Sequence, residues 1–486
     1  MHTPFFPQWR SSLAPCGSRI RQLRQSTLSE LELVFAGIFP PQLLAQADDG
    51  PNSRERVFTL RRTFWLFLCQ TLTPHTSCRA IVRQVQALLG LHSERQIESA
   101  NNAYIQARAR LPFERLLQAL GFSAATAERR CSRNAAGFLA GRPVKVVDAT
   151  STQLPDTAAN QARYPQPSGQ KPGCGFPVMK VMALFSLASG ALLHVVHENL
   201  HWHDSRLFRR LWKFLCPNDI LLGDRAFSDY GSLAELPRRK VDLIARVHTQ
   251  RKADFRKPLK RLGRWDALFE WVKPLVRPKY LTAKQWKRVP QQIVVRVLRL
   301  RMDEPGFRTR NIRLVTTLTD PRQFPAEALH ALYRRRWRLE LCFRDLKTTM
   351  GMERLSCQSP AMARKELHMY LIAHNLIRCL MAEAAGLHEV DLERVSFKGS
   401  VDATREFSHA LARAGSRKKR RRLEDELLRI IATDLVPERP NRREPRAVKR
   451  RPKPYPLLNC QRHRYKEISH RNRYWKNNPR KSKGLN

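Results

Sequence analysis

The chain has 486 residues, 42% of them hydrophobic, and carries a net charge of +47 with an isoelectric point near 11.1. That length excludes a single small domain and predicts roughly two to four, while the charge points to a polyanion as partner, nucleic acid first and an anionic membrane surface second. No amphipathic membrane-type helix stands out, and the longest apolar run near the N-terminus, "FWLFLCQTL" at 64–72, is too short to cross a bilayer, so no membrane partner is expected. Ten scattered cysteines without a CxxC pair predict reduced thiols in a cytoplasmic protein.

Residues 1–140 read as an all-α N-terminal domain expected to contact DNA. "LSELELVFAGIF", "RRTFWLFLCQTL", "CRAIVRQVQALLGL" and "PFERLLQALGF" repeat apolar positions near every 3.6 residues, with Ser29 and Ser77 as caps. From 141 the pattern changes. "VKVVD" reads as a short strand ending at Asp148, and residues 155–178, rich in Pro, Gly and polar side chains, read as loop. "VMKVMALFSL" (178–187) and "ALLHVVHE" (191–198), joined at Ala188-Ser189-Gly190, predict a hairpin. "HDSRLFRRLWKFLC" (203–216) is an amphipathic helix capped near Asp204 or Ser205. "DILLGD" (219–224) is a buried strand ending at Asp224, "SDYGSLAEL" opens a helix, and "VDLIARV" (241–247) is a further strand. The order βββαβαβ over 141–248 predicts an α/β fold whose mixed sheet is flanked by helices.

Residues 249–311 interrupt that alternation. They are basic, contain Trp265, Trp271 and Trp286, and include the strand-like "QIVVRVLRLRM". "IRLVTTLTD" (312–320) resumes the core, which continues to residue 415. The tail 416–486 holds 24 Lys/Arg against 7 Asp/Glu; apart from a helix at 423–432 it reads as disordered.

"YRRRWRLELCFRDLK" (333–347) places two acids amid six cations. Read as one helix opened by Pro325, it projects Tyr333, Arg336, Glu340, Arg344 and Lys347 from an arc of roughly 80°, with Leu339, Cys342, Phe343 and Leu346 on an apolar neighbouring face and Asp345 off the row, in solvent. Taken alone, the row is equally a salt-bridged surface, since Arg336 and Glu340 are an i,i+4 pair. The strand-end acids Asp148 and Asp224 add a second possibility. Acids at the carboxyl edge of such a sheet sit where α/β folds place their chemistry. Three converging carboxylates repel unless cations join them, and hard oxygen donors suit Mg²⁺ or Mn²⁺. Two such ions can clamp an in-line displacement at phosphorus, with the surrounding cations holding DNA phosphates.

The order Asp148, Asp224, Glu340 resembles the DDE triad of ribonuclease H-like transposases. Tyr333, Arg336, Glu340 and Lys347 match the pattern Y-(2)-R-(3)-E-(6)-K at every spacing, which resembles the bacterial insertion-sequence transposases of the family named after insertion sequence four. "LLGDRAF" and "LVTTLTD…LYRRRWRLE" are similar to that family's blocks, and the resemblance covers about 140–360. It implies a ribonuclease H-like core (141–248 and 312–415) interrupted by a β-rich insertion (249–311). It also implies cut-and-paste transposition through a hairpin, two divalent ions on Asp148, Asp224 and Glu340, and Tyr333, Arg336 and Lys347 on DNA phosphates near a flipped base. Arg225, next to the second acid, is within reach of a phosphate or of Asp229. The sequence departs from some members in one respect: "RTRNIRLVTTL" lacks their stacking Trp, which leaves Trp265, Trp271, Trp286 or Phe307 for that role. His194, His197, His201 and His203 show no ligand pattern and read as structural. Two transposon ends require two active sites, so a homodimer on paired DNA ends is expected, nucleoid-associated when bound. The competing readings are a ribonuclease H-like nuclease without strand transfer, a non-catalytic transposase-derived DNA-binding protein, and a generic RNA-binding protein, for which no RNP or KH pattern is present.

Overall fold

In the strand Val178–Ser186, Val181, Ala183 and Phe185 enter one apolar core and Met182 and Leu184 enter another, because successive side chains leave a strand on opposite faces. A strand buried on both faces needs cover on both. The computed structural model, which describes residues 31–437 other than 36, 46–56, 92–96, 133, 135–136, 172, 249–250, 252 and 302–310, together with Arg464, has that arrangement. The strands are β1 (Phe138–Leu139), β2 (Arg142–Gln153), β3 (Val178–Ser186), β4 (Leu192–Asn199), β5 (Ile220–Gly223), β6 (Asp242–Arg246), β7 (Lys260–Gly263), β8 (Asp266–Val272), β9 (Gln292–Arg301) and β10 (Asn311–Thr316). The helices are α1 (Leu31–Phe35), α2 (Leu60–Leu72), α3 (Cys78–Leu91), α4 (Asn102–Arg110), α5 (Phe113–Arg130), α6 (Ala158–Arg163), α7 (Asp204–Leu211), α8 (Tyr230–Arg238), α9 (Ala283–Arg288), α10 (Ala326–Arg335), α11 (Arg338–Arg344), α12 (Pro360–Leu387), α13 (Phe397–Ala412) and α14 (Arg417–Thr433).

The sheet order is β4-β3-β2-β5-β6-β10-β9-β8-β7, with β1 beside the start of β2. β2, β3 and β4 form an antiparallel meander, and β5 and β6 run parallel to β2. These five strands, with α7 and α8 between them, are the expected βββαβαβ unit and form a ribonuclease H-like core. β10, β9, β8 and β7 extend the same sheet antiparallel beyond β6, so the strands of 249–311 lengthen the central layer. The buried Arg296 on β9 pairs with Asp266 on β8 at 2.5 Å and donates to Phe324 O at 2.6 Å, tying this extension to the loop that opens α10.

On one face, the long helix α12 shares its apolar core with the sheet and with α2 and α5; Phe64, Leu120, Ile220 and Leu371 all belong to it. Helices that precede residue 140 therefore pack directly on the catalytic half. On the other face, α7 packs on β3 and β4 and α8 on β6 and β9, over a second apolar core that also takes in β5 and β8.

Several local expectations need correcting. β2 does not stop at Asp148 but runs on to Gln153, because β3 pairs with it residue for residue to Val178. The 155–178 loop contains α6, capped by Thr157. His203, not Asp204 or Ser205, caps α7. Ser77 does cap α3, accepting from Ala80 N–H at 3.1 Å; Ser29 lies outside the described residues. The helix expected at 423–432 starts earlier, at Arg417, and buries Leu427 and Ile431. Residues 438–486 of the tail lie outside the described residues.

Candidate active site

β5 ends at Gly223 while β2 continues, so Asp148 lies where its parallel neighbour has run out and the sheet edge opens. β2 and β5 pair through Val146↔Leu222, and β5 and β6 through Gly223↔Ala245. Carrying both registers forward sets Asp148, Asp224 and Arg246 in one row across three parallel strands. Alternation puts that row on the face where Val146, Leu222 and Ile244 are buried. Glu340 comes to the same place on α11, which packs against β2.

The Asp148 carboxyl feels both other acids. Burial pushes the Asp148 carboxyl up to about 6; the Ala149 N–H, donating at 2.8 Å, and Arg336 oppose this, whereas Asp224 and Glu340 add to it. Asp224 caps the turn Arg225–Phe227, accepting from the Arg225 N–H. The Arg336 side chain is only 9% exposed and stands 3.7 Å from the Glu340 carboxylate, which is 56% exposed. Its guanidinium also lies over the Tyr333 and Trp337 rings, at 5.8 and 5.4 Å, and its buried Nε has no hydrogen-bond partner. A half-exposed pair of this kind contributes little stability, so fold stability does not account for it.

The expected helix through Lys347 is not continuous. Arg336 N–H bonds Tyr333 O at 3.1 Å, Trp337 N–H bonds Arg334 O at 3.4 Å, and Glu340 N–H bonds Trp337 O at 3.1 Å. These i→i−3 bonds make a tight turn between α10 and α11, and α11 then runs into a π-helical turn at Asp345–Thr349. A wheel drawn at 100° per residue loses phase at both places. Tyr333, expected in the open row, is fully buried and donates to Gly223 O at 3.4 Å; burial pushes its hydroxyl up to about 12. Asp345, expected in solvent, is buried, which raises its carboxyl to about 6. Lys347 is half-buried on the π turn. The chain beyond it is tied to the end of β2: Gln153 N–H donates to Glu353 O at 3.0 Å and Leu355 N–H to Gln153 O at 2.9 Å.

Arg225 is half-buried, with a buried Nε lacking a partner. Asp229, its alternative partner, is occupied as the cap of α8 and by the Tyr280 hydroxyl. Trp271 is buried, Trp286 packs near Tyr230 with ring centroids 6.3 Å apart, and Trp265 is 43% exposed; Phe307 lies outside the described residues. His194 stacks on Phe214, His197 bonds the Tyr164 hydroxyl, and His203 is a cap. Sequence reasoning missed Arg246. Its one signal was a cation closing the strand next in line after Asp224.

The donor set suits a hard divalent cation: carboxylate oxygens, one of them held up by burial and by its two acidic neighbours. The cage is not closed by side chains alone. Among the described residues no three His, Cys, Asp or Glu gather closely enough to hold a metal ion, and Glu340 leans toward Arg336 instead. Among the described residues no helix is long and apolar enough to cross a membrane.

A ribonuclease H-like sheet with acids at this edge is the architecture of enzymes that transfer phosphoryl groups on DNA. Residues 139–376, from the end of β1 into α12, match the family described as the transposase DDE domain. Over 426 residues the chain is 25% identical to the transposase InsG for insertion sequence element IS4 of Escherichia coli strain K12, covering 86% of this chain and 91% of that protein. It also aligns with the piggyBac transposase synaptic complex with hairpin DNA over 86% of this chain and 84% of that one, at 8% identity and a TM-score of 0.40, a likeness too loose to bear on the site. Residues 139–376 thus carry a transposase DDE domain, and most of the chain is similar to an insertion-sequence transposase of the IS4 type.

Proposed function

We propose that this transposase moves its insertion sequence by cut-and-paste chemistry at a single centre built from Asp148, Asp224 and Glu340. The observation that carries this reading is the placement of Asp148 and Asp224 side by side at the open edge of the sheet, with Glu340 on the helix packed against β2. Carboxylates that raise one another's protonation make a poor fold element and a good cation site. When bound there, two Mg²⁺ or Mn²⁺ ions supply the counter-charge and the Lewis acidity that in-line displacement at phosphorus needs.

The chain's own residues supply binding and position. Arg336, wedged between two rings beside the acids, takes a phosphate oxygen. Arg225 on the turn after Asp224, and Lys347 on the π turn, hold backbone phosphates on either side. Tyr333 acts from below, through the Gly223 carbonyl that precedes Asp224, and so fixes the second acid. In sequence, a transposon end is nicked, its 3′-hydroxyl attacks the opposite strand to form a hairpin, water reopens the hairpin, and the freed 3′-end joins target DNA. Two ends held together call for a homodimer acting on the bacterial nucleoid.

The test is a donor plasmid carrying the DNA that flanks this reading frame, incubated with target plasmid and Mn²⁺. Covalent joining of donor 3′-ends to target is expected, and Asp148→Ala, Asp224→Ala and Glu340→Ala should each abolish it while DNA binding survives. Cleavage without joining would make the protein a nuclease, and binding without cleavage a DNA-binding derivative.

A further inference from the structure

The last turns of three helices on the α7/α8 face converge on a cleft of about 360 Å³ lined by Arg209, Glu235, Arg238, Arg239, Gln285 and Arg288. Arg209 comes from α7, Glu235 and Arg238 from α8 with Arg239 just after it, and Gln285 and Arg288 from α9. Four guanidiniums thus face one carboxylate. Glu235 accepts from Arg238 at 3.1 Å, and Arg238 also donates to Arg288 O at 3.2 Å. Arg209 and Arg239 both lie over the buried Trp212 ring, at 5.3 and 5.5 Å. The Arg209 Nη1 is buried without a hydrogen-bond partner. Burial, with Arg239 close by, holds the Arg209 guanidinium below its usual range despite the opposing pull of Tyr280 and Glu235.

Helix ends explain part of this. A cation in the last turn meets the negative end of the helix dipole, equivalent to roughly −0.5 charge. Three such ends remove about half of the surplus left after Glu235 is counted. They do not account for Arg239, which stands past the end of α8. An oxyanion in the cleft would cancel the remaining charge and offer acceptors to the guanidiniums that line it.

We infer that the Arg209–Arg238–Arg239–Arg288 cleft is a second phosphate-binding site, and that its ligand is a phosphodiester of DNA passing over the helix face away from the carboxylates. The site stands at the far end of α8 from Asp224, and α8 is about 13 Å long at 1.5 Å per residue. It therefore grips DNA outside the segment being cut. The inference rests on DNA being the partner under the proposed function, but not on the carboxylate chemistry.

The test is the salt dependence of full-length protein binding to a duplex of arbitrary sequence, about 40 base pairs long, in chelator so that no cleavage occurs; each phosphate contact contributes roughly 0.9 to the slope of log K against log salt. Arg239→Ala/Arg288→Ala is expected to flatten the slope by about 2, and Arg239→Lys/Arg288→Lys to restore most of it. Thermal melts of both variants establish that they fold. An unchanged slope in a folded alanine variant overturns the site. Binding of inorganic phosphate that the alanine variant loses, with the DNA slope unchanged, makes it a free-phosphate site and overturns the DNA assignment. Because chelator silences the acids, failure here is separate from failure of the triad, which is read by cleavage.

Discussion

Replacing Asp148 by Asn should make the protein more stable at neutral pH and inactive. The Asp148 carboxyl stands at about 6 against an ordinary 3.8, chiefly through burial. Each unit of such a shift corresponds to about 1.4 kcal/mol, so ionised Asp148 costs the fold at most about 3 kcal/mol at pH 7.5, and about 1–3 kcal/mol once its partial exposure is allowed for. Asn keeps the acceptor for the Ala149 N–H, bonded at 2.8 Å, and discards the charge. The sign follows from the raised value. Well below the ordinary 3.8 the group is protonated whether folded or unfolded, and there is nothing to gain; the wild-type penalty grows as pH rises from 3.8 to about 6 and is complete above it. Asp345 is raised in the same way, but both proteins share it, so it cancels in the difference. Urea denaturation of wild type and Asp148→Asn between about pH 4.5 and 7.5 should show a gap that opens with pH. Mn²⁺ should then stabilise wild type, by about 2.7 kcal/mol at a hundred times its Kd, and leave the Asn variant unmoved. An Asn variant no more stable at pH 7.5, or equally more stable at both pH values, would refute the reasoning.

Arg336→Ala removes an attraction that lowers the Asp148 carboxyl, so the acidic limb of the cleavage rate profile should move to higher pH; an unmoved limb would separate Arg336 from Asp148. Tyr333→Phe deletes a long hydrogen bond to Gly223 O, 3.4 Å, and should cost no more than about 1 kcal/mol of stability, with nicking slowed rather than abolished; complete loss of nicking in a stable variant would require direct contact with DNA. Deleting 438–486 removes 17 Lys/Arg and 3 Asp/Glu, a net +14, while keeping α14. It should flatten the salt dependence of DNA binding by several units, at roughly 0.9 per phosphate contact, and an unchanged slope would assign the tail to another partner.

The candidate site was legible in the sequence where its signals are local. Asp148 and Asp224 follow apolar runs that can only be buried strands, and Tyr333, Arg336, Glu340 and Lys347 carry fixed spacings. The rest depended on contacts between residues far apart in the chain. The second half of β2, "ATSTQ", is polar and lies past the strand expected to end at Asp148, yet β3 holds it in the ladder through Gln153. Arg246 joins the acids only through parallel pairing of β2, β5 and β6. The burial of Tyr333 and Asp345 follows from two departures from regular helix, the tight turn at Arg336 and the π turn at Asp345–Thr349. No periodicity rule anticipates either, because both arise where the helix must reach its acid to the sheet edge. The strands of 249–311 were marked as an interruption; their docking onto β6 through β10 is a pairing of edges that composition does not encode.

Assembly follows from the same charge that first singled the chain out. One ribonuclease H-like core carries one set of Asp148, Asp224 and Glu340, whereas a transposon has two ends to be joined at neighbouring target phosphates. The proposed function therefore calls for two chains, and closed two-fold symmetry is the simplest way to hold them. At +47 per chain, two free subunits repel, and only surfaces within about a Debye length, ~8 Å at physiological salt, feel this strongly. DNA between the subunits reverses the sign of the interaction, because its phosphates neutralise both basic faces at once. The expected outcome is a monomer in moderate salt without DNA and a dimer bridging two duplexes when end-sequence DNA is added, read by sedimentation with and without the duplex. Raising salt should release the DNA and the dimer together. A stable dimer in the absence of DNA would mean that apolar contacts outweigh the repulsion, and a single subunit found on a fully joined pair of ends would end the two-site argument.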